Sequence, residues 1–106
     1  MSKLHLKENP TLADYQQYVR DMVVERDFKD DVPNKFMMLA EEVGEFAKAS
    51  RKRAGMKMAS DAAKQDAAGE AADVLVVLLG LCNLMDIDLE QAFRIKEERN
   101  KKRVWN

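Results

Sequence analysis

Gly69-Glu70-Ala-Ala-Asp73-Val74-Leu75-Val76-Val77-Leu78-Leu79-Gly80-Leu81-Cys82 decides the fold. It opens with two carboxylates three residues apart and continues as an apolar run. Residues three and four apart share one side of a helix. In that register Glu70 and Asp73 lie in phase with Val77, Leu81 and Leu84, which are expected in the core. Two acids therefore open the same face that the apolar run continues. A helix apolar on nearly every side is central in a bundle or covered by a partner subunit.

Working outward, Ser60 is the expected cap of this third helix, which runs to about Met85. Asp88 caps a fourth helix, with Gln91 completing a capping-box spacing, and that helix continues to about Lys102. Upstream, Met56–Ala59 is a short connection. Pro33 suits the first turn of helix two, where its missing N–H costs nothing. That helix runs to about Arg53, with Gly55 as its stop. Its apolar stripe is Phe36, Leu39, Val43, Phe46 and Ala47. Helix one spans about Thr11 to Phe28, capped by Thr11, with Leu12, Tyr15, Val19, Met22 and Val23 recurring at helical steps. Residues 1–10 read as an irregular lead-in ending at Asn9-Pro10. Four helices with short connections predict an all-α fold, an antiparallel four-helix bundle. Residues 1–106 fit a single domain. Three neighbours in one small chain leave part of helix three uncovered, which predicts a homo-oligomer.

The composition agrees. Hydrophobic residues are 46% and charged residues 35%, with only 4 Gly and 2 Pro, too few for a turn-rich β fold. The net charge of -1 argues against coating nucleic acid through the overall field. Residues 94–103 are basic but lack aromatic interleaving. A lone Cys82 inside an apolar run reads as a buried inert thiol in a reducing cytoplasm. No secretory h-region is visible, and the apolar run from Val74 to Cys82 is too short to span a bilayer, so no membrane partner is expected.

Helix two carries its own acidic motif, Glu41-Glu42-x-x-Glu45. At 100° per residue, Glu42 flanks the apolar stripe, Glu45 lies further round and Glu41 further still. Antiparallel packing of helices two and three brings Glu42 and Glu45 towards Glu70 and Asp73. Close carboxylates in a partly dry cleft protonate, pair with basic residues or bind a cation. An all-oxygen set suits Mg²⁺ or Mn²⁺. A ferritin-like di-iron bundle needs Glu-x-x-His, and the single histidine, His5, lies outside every predicted helix. A solvated face is the competing reading of the helix-two motif, since Glu41 and Glu45 also match Lys48 and Lys52 in spacing.

Leu39-Ala-Glu-Glu-Val-Gly-Glu-Phe-Ala47 followed by Glu70-Ala-Ala-Asp-Val-Leu75 resembles the MazG family of all-α nucleoside triphosphate pyrophosphohydrolases. The family pattern is E-E-x-x-E, a variable gap, then E-x-x-D. The resemblance runs from about Arg26 to the C-terminus. It implies Mg²⁺-dependent cleavage of a nucleoside triphosphate substrate between the α- and β-phosphates, in a homodimer or dimer of dimers that cleans the nucleotide pool. It implies metal ligands at Glu42, Glu45, Glu70 and Asp73. Glu41, in the first Glu position, would support catalysis beside Glu42. The family's basic, Asn-containing stretch corresponds to Lys96, Asn100 and Arg103, which share a helical face and are candidates, with Lys48, for binding phosphate. Phe28, Phe36, Tyr15, Tyr18 and Trp105 are the side chains available to stack on a base. A non-catalytic helical dimerisation or regulatory module with the same fold is the alternative reading. A carboxylate-bridged redox bundle is a third.

Overall fold

The computed structural model describes residues 1–55 and 61–104. The chain is all-α, a four-helix bundle of α1 (Leu12–Glu25), α2 (Val32–Gly55), α3 (Asp61–Leu84) and α4 (Leu89–Lys101), with no strand among the described residues. The expected connection Met56–Ala59 and the Ser60 cap lie outside the described residues, as does Trp105.

Short polar side chains set the helix ends. Thr11 Oγ1 accepts from Asp14 N–H at 3.1 Å, and Asp14 Oδ2 accepts in return from Thr11 N–H at 2.8 Å. Asp31 starts α2 by accepting from Asn34 N–H at 2.9 Å. Asp88 starts α4 by accepting from Gln91 N–H at 3.1 Å. α1 stops at Glu25, three residues before Phe28, because Asp27 turns left-handed at φ 52°. Phe28 N–H then reaches back to Val23 O at 3.0 Å, closing the last turn. Asp86, at φ 53°, ends α3 the same way, with Ile87 N–H on Cys82 O at 2.8 Å. Aspartate tolerates this conformation better than most residues. The described part of α2 ends at Gly55 itself.

α2 and α3 run antiparallel, since Lys35 meets Gly80 while Glu42, further along α2, meets Glu70 and Asp73, earlier on α3. α1 is antiparallel to α3 in the same way, through Gln16 with Asn83 and Val19 with Gly80. The core joins Val19 and Met22 of α1 to Leu79 of α3, which is 1% exposed. Leu4, Leu12, Tyr18, Leu75, Val76 and Leu89 pack around it. The lead-in folds back along α1, where Lys3 N–H and Ser2 Oγ donate to Glu25.

Tyr15, expected to face the core, is exposed, and its neighbour Gln16 is buried instead. Gln16 Nε2 donates to Asn83 Oδ1 (2.9 Å) and Ile87 O (2.6 Å), and its Oε1 accepts from Leu89 N–H (3.1 Å). A buried amide needs such partners, and here they fasten α1 to the α3–α4 turn. Glu90 Oε1 adds to this by accepting from Leu12 N–H at 3.1 Å at the positive end of α1. α4 is thereby anchored on α1.

The stripe assigned to helix two is rotated relative to expectation. Phe36, Val43, Phe46 and Ala47 are exposed, and only Leu39 is half-buried. The face turned inward carries Lys35, Leu39 and Glu42. The Asp30–Lys35 pair and the bare backbone at Gly80 seat Lys35 against α3 and fix that rotation. Val77 and Leu81 are buried as their phase requires, whereas Leu84 at the last turn of α3 is exposed. Cys82 is buried, and burial raises its thiol pKa, which suits an inert role.

The radius of gyration is 16.4 Å, against about 13 Å for a compact chain of this length. α3 from Asp66 to Leu84 reaches a mean hydropathy of 1.7, so by length and composition alone it is long enough to cross a membrane, unlike the shorter run from Val74 to Cys82. That stretch carries three carboxylates, Asp66, Glu70 and Asp73, and packs between α1 and α2.

Candidate metal centre

The antiparallel α2–α3 seam determines which acids meet. α2 rises as α3 descends, so the inward face of α2 at Glu42 arrives opposite the first acidic turn of the α3 stretch. Oxygens of Glu42, Glu70 and Asp73 lie within 4.8 Å of one another. Glu42 and Glu70 are half-buried and Asp73 is exposed, so the group opens to solvent at one side.

Glu70 binds its proton more tightly than an ordinary glutamate. Partial removal from water is the first cause, followed by the negative charges of Asp73, Glu42, Glu45 and Asp66. Among the described residues, every charge acting on Glu70 is negative. Three clustered carboxylates, with no basic partner among the described residues, are a donor set that fits a hard divalent cation chemically.

That clash has a direct consequence for the cation-free protein. Because the folded pKa of Glu70 lies above 4.5, the ionised form is the one that folding disfavours. At low pH both folded and unfolded states hold the proton, and the penalty is absent. It grows as pH rises from 4.5 through the elevated folded value and persists at neutrality. Glu70→Gln is therefore expected to raise the Tm of cation-free protein at pH 7 and to leave it unchanged at pH 3.5. Scanning calorimetry at the two pH values checks this, and a lower Tm of the variant at pH 7 would refute it.

The other expected ligands are placed differently. Glu45 is exposed and stays outside the 4.8 Å group, although its charge reaches Glu70. Glu41 is exposed on the outer side of α2. Lys48 is also exposed on α2. Lys96, Asn100 and Arg103 belong to α4 and the turn after it, on the helix anchored to α1 and not part of the α2–α3 seam. Lys96 and Arg103 are exposed and Asn100 is half-buried. Of the aromatic candidates, Tyr18 packs on the core, Tyr15 and Phe36 are exposed, and Phe28 lines a cleft near the N-terminus of α2.

Two residues with a place near the site were not singled out from the sequence. Lys35 is nine-tenths buried, on the same α2 face as Glu42 and two turns before it. Asp30 stands 3.7 Å from its ammonium. The available signal was the Lys35–Leu39–Glu42 spacing, which is as helical as the Phe36 stripe but less apolar.

No curated protein matches the sequence. A family match covers residues 12–100, from the start of α1 to the last turn of α4, and so takes in both acidic motifs. With that span, the chain belongs to the phosphoribosyl-ATP pyrophosphohydrolase family.

Proposed function

We propose that this protein is a divalent-cation-dependent nucleotide pyrophosphohydrolase that cuts a nucleoside triphosphate between its α- and β-phosphates. The observation that carries the reading is the meeting of Glu42, Glu70 and Asp73 within 4.8 Å. Family membership supports the reaction class. The E-E-x-x-E and E-x-x-D motifs also support kinship with MazG-like enzymes and a house-cleaning role in the cytoplasm.

Glu42, Glu70 and Asp73 hold the cation, with Glu45 beside them. Mg²⁺ is the proposed ion and Mn²⁺ a substitute, because the donors are all carboxylate oxygens. When bound, the ion supplies charge neutralisation and polarisation at the phosphate oxygens. The protein's own work in such a transfer is positioning. The half-buried carboxylates of Glu42 and Glu70 fix the inner side of the site. Exposed Glu41, next to Glu42, is the proposed proton acceptor for the attacking water.

Lys96, Asn100 and Arg103 are the proposed phosphate contacts from α4, and Lys48 the one from α2. The exposed stripe of Phe36, Val43 and Phe46, together with Phe93 at 65% exposure, supports a homo-oligomer of this one-domain chain. In it a second copy is the proposed source of the α4 contacts. Light scattering should read a multiple of 12.1 kDa; a monomer at micromolar concentration would sink the oligomer.

The family name favours a second reading of the substrate, phosphoribosyl-ATP itself. Both readings are tested by offering Mg²⁺ with the standard nucleoside triphosphates and with phosphoribosyl-ATP, and measuring pyrophosphate against orthophosphate. Pyrophosphate is the expected first product. Orthophosphate first would overturn the α–β cleavage, and no turnover of any of these substrates would favour a non-catalytic module.

A further inference from the structure

Lys35 and Glu42 are seven residues apart on α2, about 20° short of two full turns, so both leave the helix on nearly the same side. Phe36 and Val43 repeat that spacing about 100° further round. Hydrophobicity alone would turn the second pair inward. Instead Phe36 is 51% exposed and Val43 48% exposed, while Lys35 is 9% exposed. Burying a lysine beside an available phenylalanine is costly unless the ammonium finds a counter-charge and the stem finds a surface to pack on.

Lys35 has both. Asp30 Oδ2 stands 3.7 Å from its ammonium. Asp27 lines the same hollow, in which Lys29 is the other cation, and Arg20 joins these two lysines and Asp30 in the adjoining cleft. The stem lies over the bare backbone of α3, where a side chain at Gly80 would begin 3.7 Å from Lys35 Cε and Nζ. Asp30 is itself held in place. Its Oδ1 accepts from Asp31 N–H at 3.1 Å, and Phe28 N–H ties the same turn to α1 through Val23 O at 3.0 Å. The ion pair therefore refers the rotation of α2 to α1, and the seat on Gly80 refers it to α3.

Glu42 depends on that rotation. Turning α2 by about 100° would carry a side-chain end about 5 Å from the axis through roughly 8 Å. Oxygens of Glu42, Glu70 and Asp73 lie within 4.8 Å of one another, so the group would not survive the turn. We propose that Lys35 is a positioning residue for Glu42, its pair with Asp30 and its seat on Gly80 setting the rotation of α2 that brings Glu42 to Glu70 and Asp73. The α1–α2 turn then governs the carboxylate centre from about 10 Å along the helix. The consequence for cation affinity rests on the function proposed above, whereas the rotation does not.

Proximity is read first, without any cation. In Glu42→Cys/Asp73→Cys protein a short bifunctional thiol reagent is expected to join α2 to α3, the native Cys82 being buried. Adding Asp30→Asn, which keeps the size of the side chain and its Oδ1 acceptor, or Lys35→Ala should slow the joining at least about tenfold. Titration calorimetry with Mn²⁺, on full chains that retain Glu42 and Asp73, then reads affinity. Asp30→Asn and Lys35→Ala should each weaken it about tenfold, with helix content unchanged by circular dichroism. A merely structural role would lower the Tm and leave both readouts at their wild-type values. If Lys35→Ala fails to fold, Asp30→Asn decides the matter. Failure of the two cysteines to join in the otherwise wild-type chain overturns the juxtaposition. Unchanged joining, or unchanged Mn²⁺ affinity, in the folded variants overturns the positioning role. A wild-type chain that takes up no Mn²⁺ while joining still depends on Asp30 and Lys35 overturns the cation reading alone.

Discussion

Asp73→Asn and Glu42→Gln are each expected to lower cation-dependent pyrophosphate release by about 10²–10³-fold, with the helices intact. Each substitution keeps the size of the side chain and removes one negative charge from a group of three. The remaining pair attracts a divalent cation less strongly, and the phosphate oxygens lose the charge that neutralises them. Asp73 is exposed and Glu42 half-buried, so neither change opens a core cavity. Circular dichroism should therefore match wild type while the rate collapses. Glu41→Gln is the informative comparison, because Glu41 lies outside the group and acts in the proposed scheme only on the attacking water. Wild-type rates in folded Asp73→Asn and Glu42→Gln would dismantle the site assignment.

Leu79→Ala carries the largest expected cost in stability, about 3 kcal/mol by urea denaturation. Leu79 is the largest fully buried side chain among the described residues and joins α3 to Val19 and Met22 of α1. Domains of this size hold only about 5–15 kcal/mol in total, so the loss is a large fraction. Phe93→Ala is the contrasting case. Its side chain is 65% exposed, so its removal should cost little in the protomer and act on self-association. A Leu79→Ala loss below about 1 kcal/mol would place the core elsewhere.

Each level of structure left a different mark in the residues. The helices were legible because their signals are local. Thr11, Pro33 and Asp88 sit at or beside helix starts, and the apolar run after Asp73 is visible without any partner. Phase placed Val77 and Leu81 inside for the same reason. Phase also separated Glu42 from Glu41 on α2, matching their half-buried and exposed positions. Helix ends were less legible. The stops at Asp27 and Asp86 depend on left-handed turns that aspartate tolerates but does not announce.

The rotation of α2 was not legible. Two helical stripes run along it, Phe36–Val43–Phe46 and Lys35–Leu39–Glu42, and hydrophobicity alone favours the first. The second faces α3, because Lys35 settles against Gly80 and beside Asp30, contacts between residues distant in sequence. The same rotation admits Glu42 to the carboxylate group and leaves Glu45 at its border.

By itself, the sequence determined that this protein is helical, where α1, α2 and α4 begin, and that Glu70 and Asp73 share a face with buried leucine and valine. Those are consequences of spacing along one chain, and 3.6 residues per turn suffice to read them. Only the tertiary structure decided that Glu45 stays outside the carboxylate group, that the basic turn of α4 hangs from a helix on α1, and that a buried lysine lines a cleft two turns away. Those outcomes depend on how helices rotate and dock against one another, which is set by the summed packing and charge of residues far apart in the chain.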